Sequence, residues 1–290
     1  MGATGHTGGA TAEKLLGEGK KLRAIGRSAG KLSGFAARGA EVAAGDFLDA
    51  AFLARAFQGA EAVYVMVAPD VRQPDLRAYY NRSADAIAEA VRRSGVSRIV
   101  FLSSLGAELD HGTGPIAGLH DAEQKLRTLD VDLLILRPAY FYENFHRSLG
   151  LIKSRGVTGG AIDPDVPIAM IATADIGAAA EEELSRGRFK GSSVRELLGP
   201  SDYTMTQATR ILGAAIGKPD LAYVRFQDAD YAAALASAGF SKGVAASFVE
   251  MAGALSRGLV RSIQGRTEQT TMSTTFESFA KGLAAAYQAL

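Results

Sequence analysis

The 290-residue sequence contains no cysteine and no tryptophan. Without cysteine the protein has no disulfide framework, no thiolate metal site and no cysteine nucleophile. The charge is almost balanced, with 32 basic against 31 acidic residues and a net charge of +1. No bulk field therefore attracts nucleic acid or a membrane surface, and we expect neither as a direct partner.

Long apolar runs and metal-ligand patterns are also absent from the sequence. No stretch approaches the roughly 18–20 apolar residues that cross a bilayer, and no basic segment followed by an apolar one opens the chain. The four histidines form neither a His-Glu-x-x-His pattern nor a close pair, so we expect no metal site. We accordingly expect a cytoplasmic protein.

Short runs rich in Val, Ile and Leu alternate with amphipathic stretches along the first half. Runs that are apolar on both faces are typical of parallel strands covered by helices on both sides. The pattern predicts an α/β fold with right-handed βαβ units and a doubly wound, Rossmann-type parallel sheet. The predicted strands are 21–25, 41–44, 62–67, 98–102 and 131–136, and the predicted helices are 7–18, 48–57, 74–94 and 119–129.

A glycine-rich loop opens the chain and leads directly into the first predicted helix. Its three glycines match G-x-x-G-x-x-G: Gly2 permits a tight turn, Gly5 lets the backbone approach a pyrophosphate, and Gly8 lets helix and sheet pack closely. Phosphates then lie at the helix N-terminus, where free N–H groups favour anions. A turn without a ligand is the alternative, but the βα context favours a dinucleotide site. Its predicted contacts are Gly2, Thr4, Gly5, His6, Thr7 and Gly8.

A strand should precede this loop, yet only Met1 does. Two interpretations stay open: a truncated start, which we favour, or a sheet that lacks its first, central strand and has a gap there. With a genuine start, cofactor affinity should suffer, because the loop has lost its anchoring strand.

The residues after strand 21–25 favour NADP(H) over NAD(H) as the cofactor. NAD-specific folds place an Asp or Glu about 20 residues beyond the loop, on the ribose hydroxyls, but here Arg27 occupies that region and Lys31 lies one turn further. Arg27 is suited to a 2′-phosphate, with an ordinary solvated arginine as the alternative. Asp46 lies near the expected adenine edge, unless it only caps the helix from Leu48.

Beyond residue 138 the pattern loosens. We predict helix 143–155, loop 156–167, strand 168–171, helix 174–185 with Thr173 as its N-cap, helix 204–217, and mostly helix over 228–290. The predicted domains are a Rossmann domain binding NADP(H) over 1–150 and a smaller, mostly helical substrate-binding portion over 151–290. We expect a discontinuous boundary, with some later elements returning to the first domain.

Three further segments resemble the NmrA-like group of atypical short-chain dehydrogenase/reductases. Residues 136–144 look like that group's LRPxxFxEN segment, residues 173–177 its helix start with Asp175, and 199–204 its GP…T segment. The resemblance covers nearly the whole chain. It implies a Rossmann domain, a small carboxyl-terminal substrate domain and a cleft between them.

Ordinary short-chain dehydrogenases move a proton with a Tyr-x-x-x-Lys pair. None of the nine tyrosines here has a lysine four residues later. Aligning the helix places Pro115 and Leu119 at those two positions. Alcohol oxidation, ketone reduction and sugar epimerisation by the tyrosine route are therefore disfavoured.

Two functions are consistent with a cofactor site that has no Tyr-x-x-x-Lys pair. An NADPH-dependent oxidoreductase can pass hydride to a quinone-like acceptor, whose product oxygen is far less basic than an alkoxide, by positioning alone; some NmrA-like proteins are such quinone reductases. The alternative is a non-catalytic NADP(H)-binding sensor that regulates a protein partner. We favour the enzyme with a small-molecule acceptor, and leave a homodimer open.

Candidate residues of the acceptor site follow from their position after predicted strands, at the edge where such sheets bind ligands. We expect Tyr140, Phe141 and Tyr142 to wall a flat acceptor, with interdomain core as the alternative for Tyr140 and Phe141, and Asn144 to orient that segment. His120 is the best titratable candidate for proton transfer, although a surface or capping role is the simpler interpretation. The residues expected to flank the nicotinamide end of the cofactor are Val67, Ala68, Pro69, Ser103 and Ser104.

One motif is misleading: Gly239-Phe240-Ser241-Lys242-Gly243 matches the G-x-S-x-G nucleophile elbow of hydrolases. That elbow follows a strand, whereas an alanine-rich helix precedes this one. We predict an ordinary turn between helices.

The cofactor assignment depends on Arg27 and is testable there. We expect Arg27→Ala to weaken NADPH binding about ten- to hundred-fold, because a hydrogen bond to a charged group contributes about 1.5–3 kcal/mol, and to leave NADH binding unchanged. Fluorescence titration of both nucleotides measures the ratio. An unchanged NADPH/NADH preference would remove the main support for NADP(H).

Overall fold

The computed structural model describes residues 1–290 and has the alternating architecture that the first half predicts. Each of the five predicted strands forms, within two residues of its expected ends. They are β1 (Arg23–Gly26), β2 (Glu41–Ala44), β3 (Val63–Met66), β4 (Arg98–Leu102) and β5 (Asp132–Pro138). The helices among them are α1 (His6–Gly17), α2 (Ala29–Ala36), α3 (Ala50–Phe57), α4 (Leu76–Ser94) and α5 (Pro115–Arg127).

The parallel sheet is divided at its centre. Strands β1 and β2 form one two-stranded sheet, and β3, β4, β5 and β9 (Ser192–Leu197) form a separate four-stranded one in that order. Residues Met1–Ala3 lie between the two: the Met1 nitrogen donates to the Tyr64 carbonyl of β3 at 2.6 Å, and the Ala3 N–H donates to the Ile25 carbonyl of β1 at 3.2 Å. The two sheets are thus separated by a gap, which this three-residue segment bridges.

The second half contains more strand than its sequence pattern suggests. Its helices are a 3₁₀ helix (Tyr142–Arg147), α6 (Ser148–Arg155), α7 (Thr173–Arg186), α8 (Met205–Ala215), α9 (Asp228–Ser237), α10 (Lys242–Ser256) and α11 (Phe276–Gln288). Its other strands are β6 (Tyr140–Phe141), β7 (Val157–Gly160), β8 (Ile168–Ile171), β10 (Asp202–Tyr203) and β11 (Ala222–Arg225). They form two small sheets, β10-β8-β6 and β11-β7.

Two local predictions for this half are wrong. Residues Val157–Gly160 were expected in a loop but pair in parallel with β11, since a partner more than 60 residues away supplies their ladder. Thr173 does not cap α7; Ala172 holds the N-cap position, and the Thr173 hydroxyl and N–H both donate to Glu143.

Two later elements lie against the first half of the chain. Strand β9 pairs in parallel with β5 along the edge of the main sheet. Helix α7 packs on α1, and at Gly177 an added Cβ would come within 2.4 Å of the Ala10 Cβ. Only glycine allows the two helix backbones to approach so closely. No helix in the structure is long and apolar enough to cross a bilayer.

The α1–α7 contact predicts opposite effects for one substitution at two helix-interior glycines. Gly177→Ala should lower the free energy of unfolding by about 1–3 kcal/mol, because the methyl group meets backbone atoms of α1 that have no room to move. Gly282→Ala, in α11 with open space around it, should raise it by about 0.5–1 kcal/mol. Urea denaturation measures both, and a stable Gly177→Ala protein would show that the two helices can separate freely.

Candidate functional site

The glycine loop forms a narrow backbone turn that ends at the N-terminus of α1. Gly2 has φ +71°, and the Gly5 N–H donates to the Gly2 carbonyl at 2.9 Å. A Cβ on Gly8 would lie 2.5 Å from that same carbonyl oxygen, so the turn closes only over glycine. Gly5 is the N-cap of α1 and no side chain occupies the cap. The first N–H groups of α1 are thus free for an anion, and the residues present fit a dinucleotide diphosphate.

The side chain of Thr7 anchors the glycine loop to β3. The Tyr64 hydroxyl donates to the Thr7 hydroxyl at 3.0 Å, and both residues are buried. Burial raises the pKa of Tyr64, against the opposing effect of this hydrogen bond, so the phenol stays neutral. The Thr7 side chain therefore points into the protein, while Thr4, Gly5 and His6 are exposed on the cleft side of the loop.

Arg27 and Lys31 lie where the sequence pattern puts a 2′-phosphate. Arg27 directly follows β1, is exposed and forms no ion pair. Asp46 follows β2, where its carboxylate accepts the Leu48 N–H at 3.0 Å. Asp46 does not cap α3, because Asp49 fills that role.

Tyr79 of α4 lies close enough to Arg27 and Asp46 for both charges to affect its pKa. Burial is the main reason that the pKa of Tyr79 is raised; Asp70 and Asp46 add to the shift, whereas the positive charge of Arg27 opposes it. The adenine end of the predicted cleft is therefore bordered by one unpaired guanidinium group and a neutral phenol.

The serines at the end of β4 have partners within the protein. The Ser103 hydroxyl donates to the Glu123 carboxylate of α5, and the Ser104 hydroxyl donates to the Leu105 carbonyl at 2.9 Å. Ser103 is buried and Ser104 half-buried. Because its hydroxyl is occupied by Glu123, Ser103 can contact a cofactor only through its backbone. After β3, Val67 is buried, and Ala68 and Pro69 are progressively more exposed.

A buried charge network, which the sequence interpretation did not find, fixes this sheet edge. Arg137 donates through Nε and Nη2 to both oxygens of Glu123, at 2.9 and 2.7 Å, and through Nη1 to Glu108 at 3.0 Å. Glu123 has no exposed side-chain surface. Such a bidentate pair tolerates burial because each charge is matched. A charged residue within the apolar run before Pro138 was the available signal.

His120 lies in the second turn of α5, half-buried. Its Nδ1 lies 2.9 Å from the Ala107 carbonyl, so in the neutral ring Nδ1 carries the proton and Nε2 is the free basic nitrogen. Pro115 is buried at the first position of the same helix. This face of α5, where short-chain dehydrogenases hold their proton-transfer pair, offers no tyrosine and no lysine.

The aromatic run after β5 divides between the cleft side and the core. Tyr140 and Phe141 form β6 and are half-buried. Tyr142 is fully buried: its ring lies 5.0 Å from that of Phe276, and its hydroxyl donates to the Thr274 carbonyl. Tyr142 therefore belongs to the carboxyl-terminal core and corrects our expectation of an acceptor wall at that position.

Glu143, the next residue of the run, holds the segment in place. Its carboxylate accepts the Thr173 N–H at 3.0 Å and the Thr173 hydroxyl at 2.6 Å, at the start of α7. Asn144 follows it and is half-buried. The segment after β5 is thus tied to the helix that supports α1.

A group of three tyrosines, Tyr140, Tyr223 and Tyr231, lies beyond the end of β5; sequence reasoning named only the first. Burial raises the pKa of each phenol. Tyr140 and Tyr231 also disfavour the ionisation of Tyr223, which places the three close together. Arg147 opposes the shifts of Tyr140 and Tyr231 and is itself exposed. All three neutral rings pack against the hydrophobic core of the carboxyl-terminal part of the chain.

Residues Gly239–Gly243, which match the hydrolase motif, pack on the loop after β3. Ser241 caps α10, donates its N–H to the Val71 carbonyl at 2.9 Å, and donates its hydroxyl to the Gln73 carbonyl. A Cβ on Gly243 would lie 2.0 Å from the Pro74 carbonyl oxygen. As predicted, the segment is a turn between helices, and it fixes the loop that borders the nicotinamide end of the predicted cleft.

Comparison with known proteins agrees with this geometry. A family model described as NAD(P)H-binding matches residues 2–182. The chain is 33% identical over 250 residues to quinone oxidoreductase 2 of Escherichia coli strain K12, covering 84% of this chain and 82% of that protein. The crystal structure of the NADPH-dependent quinone oxidoreductase of E. coli complexed with NADPH has a TM-score of 0.81 at 28% identity, covering 97% of this chain and 98% of that one. NmrA, a negative transcriptional regulator, shares the fold at a TM-score of 0.74 and 14% identity, over 98% of this chain and 94% of that one.

The narrow turn predicts a matched pair of substitutions within α1. Gly8→Ala should weaken NADPH binding at least about ten-fold, because the methyl group would push the Gly2 and Met1 backbone out of the turn. Gly17→Ala, at the other end of α1 with nothing nearby, should leave the affinity unchanged. Calorimetric titration with NADPH compares the two. Equal affinities would mean that the turn does not position the phosphates.

Proposed function

Because this chain belongs to the NAD(P)H-binding family, we propose that it is an NADPH-dependent reductase of quinone-like acceptors. The observation that supports this best is the pair of half-buried aromatic residues Tyr140 and Phe141 directly after β5, together with a helix α5 that has no Tyr-x-x-x-Lys pair. The 33% identity to quinone oxidoreductase 2 supports the same acceptor class.

The protein's own residues have a limited task in this reaction. When bound, NADPH supplies the hydride, and a quinone takes up that hydride and a proton from solvent to give a hydroquinone. The chain holds the phosphates at the N-terminus of α1, with Arg27 and Lys31 at the 2′-phosphate. It orients the nicotinamide end with the backbone of Val67–Pro69 and Ser103–Ser104, and it places a flat acceptor against Tyr140.

A dedicated proton donor is unnecessary for this acceptor class. Hydride addition to a quinone gives a phenolate-type oxygen, whose basicity is far below that of an alkoxide. Burial raises the pKa of Tyr140, so this phenol stays neutral and serves as a surface rather than as an acid. His120 keeps Nε2 free and is the proposed shuttle should a proton be supplied by the chain.

The alternative is an NADP(H)-binding sensor that regulates a protein partner without turnover. The regulator NmrA shares the fold, and a tightly held cofactor without a proton-transfer pair suits a sensor as well. The half-buried aromatic pair Tyr140 and Phe141 favours the reductase, because a sensor has no need for an acceptor surface after β5.

Steady-state oxidation of NADPH, followed by its absorbance, tests the proposal. We expect turnover with benzoquinones and naphthoquinones and none with aliphatic ketones. Tyr140→Ala should raise the KM for the quinone about ten-fold through loss of stacking surface. Tyr140→Phe, which keeps the ring and removes the hydroxyl, is the matched control and should retain kcat. Tight NADPH binding with no oxidation by any quinone would establish the sensor instead.

A further inference from the structure

Two histidines that lie 140 positions apart in the sequence meet at the mouth of the dinucleotide loop. The rings of His6, in the loop, and His146, in the 3₁₀ helix, are stacked with centroids 6.4 Å apart and planes 10° from parallel. The ring of Phe279 contacts His146 edge-on, with centroids at 6.0 Å. Both imidazoles are exposed.

Neither ring of this pair has a hydrogen-bond partner within the protein. Among the four histidines, His111 pairs with Asp110 and His120 with the Ala107 carbonyl, whereas no hydrogen bond or ion pair involves the side chain of His6 or His146. Their ring nitrogens are therefore available to a ligand. Two stacked imidazoles without a carboxylate partner are suited to an anion, to which each can donate an N–H.

The position of His146 relative to the loop is set by rigid contacts. Its neighbour Phe145 is buried, and Glu143, three residues earlier, is bound to Thr173 at the start of α7. Helix α7 in turn packs on α1 at Gly177 with almost no space between the backbones. The 3₁₀ helix, α7 and the glycine loop thus form one connected support.

The loop itself has no lysine or arginine side chain to meet an anion. The first 13 residues contain no lysine or arginine. A dinucleotide diphosphate at the N-terminus of α1 receives backbone N–H groups from one side only. His6 and His146 are the side chains placed to meet it from the other side.

We propose that His146 is a cofactor-binding residue contributed by the carboxyl-terminal part of the chain, which together with His6 clamps the diphosphate of the bound dinucleotide. The clamp acts on the diphosphate and not on the adenosine 2′-phosphate, which is bound at Arg27. It concerns the cofactor alone and holds whether or not a quinone is the acceptor.

The test compares two ligands that share the adenosine 2′-phosphate but differ in the diphosphate. NADPH and adenosine 2′-monophosphate are titrated calorimetrically into the wild type and into His146→Leu. We expect His146→Leu to weaken NADPH binding about ten-fold, equivalent to about 1.4 kcal/mol, and to leave adenosine 2′-monophosphate unchanged. His146→Arg, which restores a cationic donor, should bring NADPH affinity back to within about three-fold of the wild type.

His111→Leu is the matched control, since it removes another exposed histidine, one that pairs with Asp110, and should change neither affinity. Thermal melting of every variant reports on folding. Equal losses for both ligands, a loss that His146→Arg does not restore, or no loss for NADPH would each overturn the clamp. None of these outcomes bears on quinone turnover, which is measured separately.

Discussion

The close packing of α1 against α7 is the constraint on which the rest of the structure depends. A helix N-terminus binds an anion well only if its free N–H groups are fixed in place, and here residues Met1–Ala3, which lead into the loop, belong to no strand. Three hydrogen bonds hold this segment and the start of α1: those of Met1 and Ala3 to the flanking strands, and that of Tyr64 to Thr7. Helix α7 supplies the broad apolar contact that these few bonds lack.

The anchoring of α7 joins the dinucleotide loop to the acceptor side. Glu143 binds Thr173 in the first turn of α7, and Asp175 of the same turn accepts both the N–H and the hydroxyl of Thr274, at 3.0 and 2.8 Å. The end of β5 and the segment after it use their charges in this structural way: Arg137 of β5 holds Glu123 of α5, and Glu143 holds α7. The same segment carries Tyr140 and His146, so Glu143 connects both to the helix that packs on α1.

The buried groups of the candidate site offer few free proton donors, and this limits the chemistry that the site can support. The tyrosines near the end of β5 are neutral, the buried carboxylate of Glu123 is neutralised by Arg137, and the Ser103 hydroxyl is engaged by Glu123. A site with so few free proton donors is suited to an acceptor that becomes only weakly basic on reduction. The cofactor then supplies the reactivity, and the protein supplies position and exclusion of water.

The sequence by itself determined the parallel sheet and the dinucleotide loop. Runs that are apolar on both faces indicate strands buried on both faces, Gly2 indicates a left-handed backbone conformation, and Gly8 indicates a close backbone contact. Such signals are local, so they can be read from neighbouring residues. The Thr204 cap of α8, which closes with Gln207, is local in the same sense.

Only the tertiary structure decided the features that join distant segments. The pairing of β9 with β5, the burial of Tyr142 against Phe276 and the bond from Ser103 to Glu123 each depend on which surfaces meet, and no local pattern encodes that choice. The stacking of His6 on His146 is the clearest case: two residues at opposite ends of the first half become neighbours because a glycine in α7 lets two helices touch.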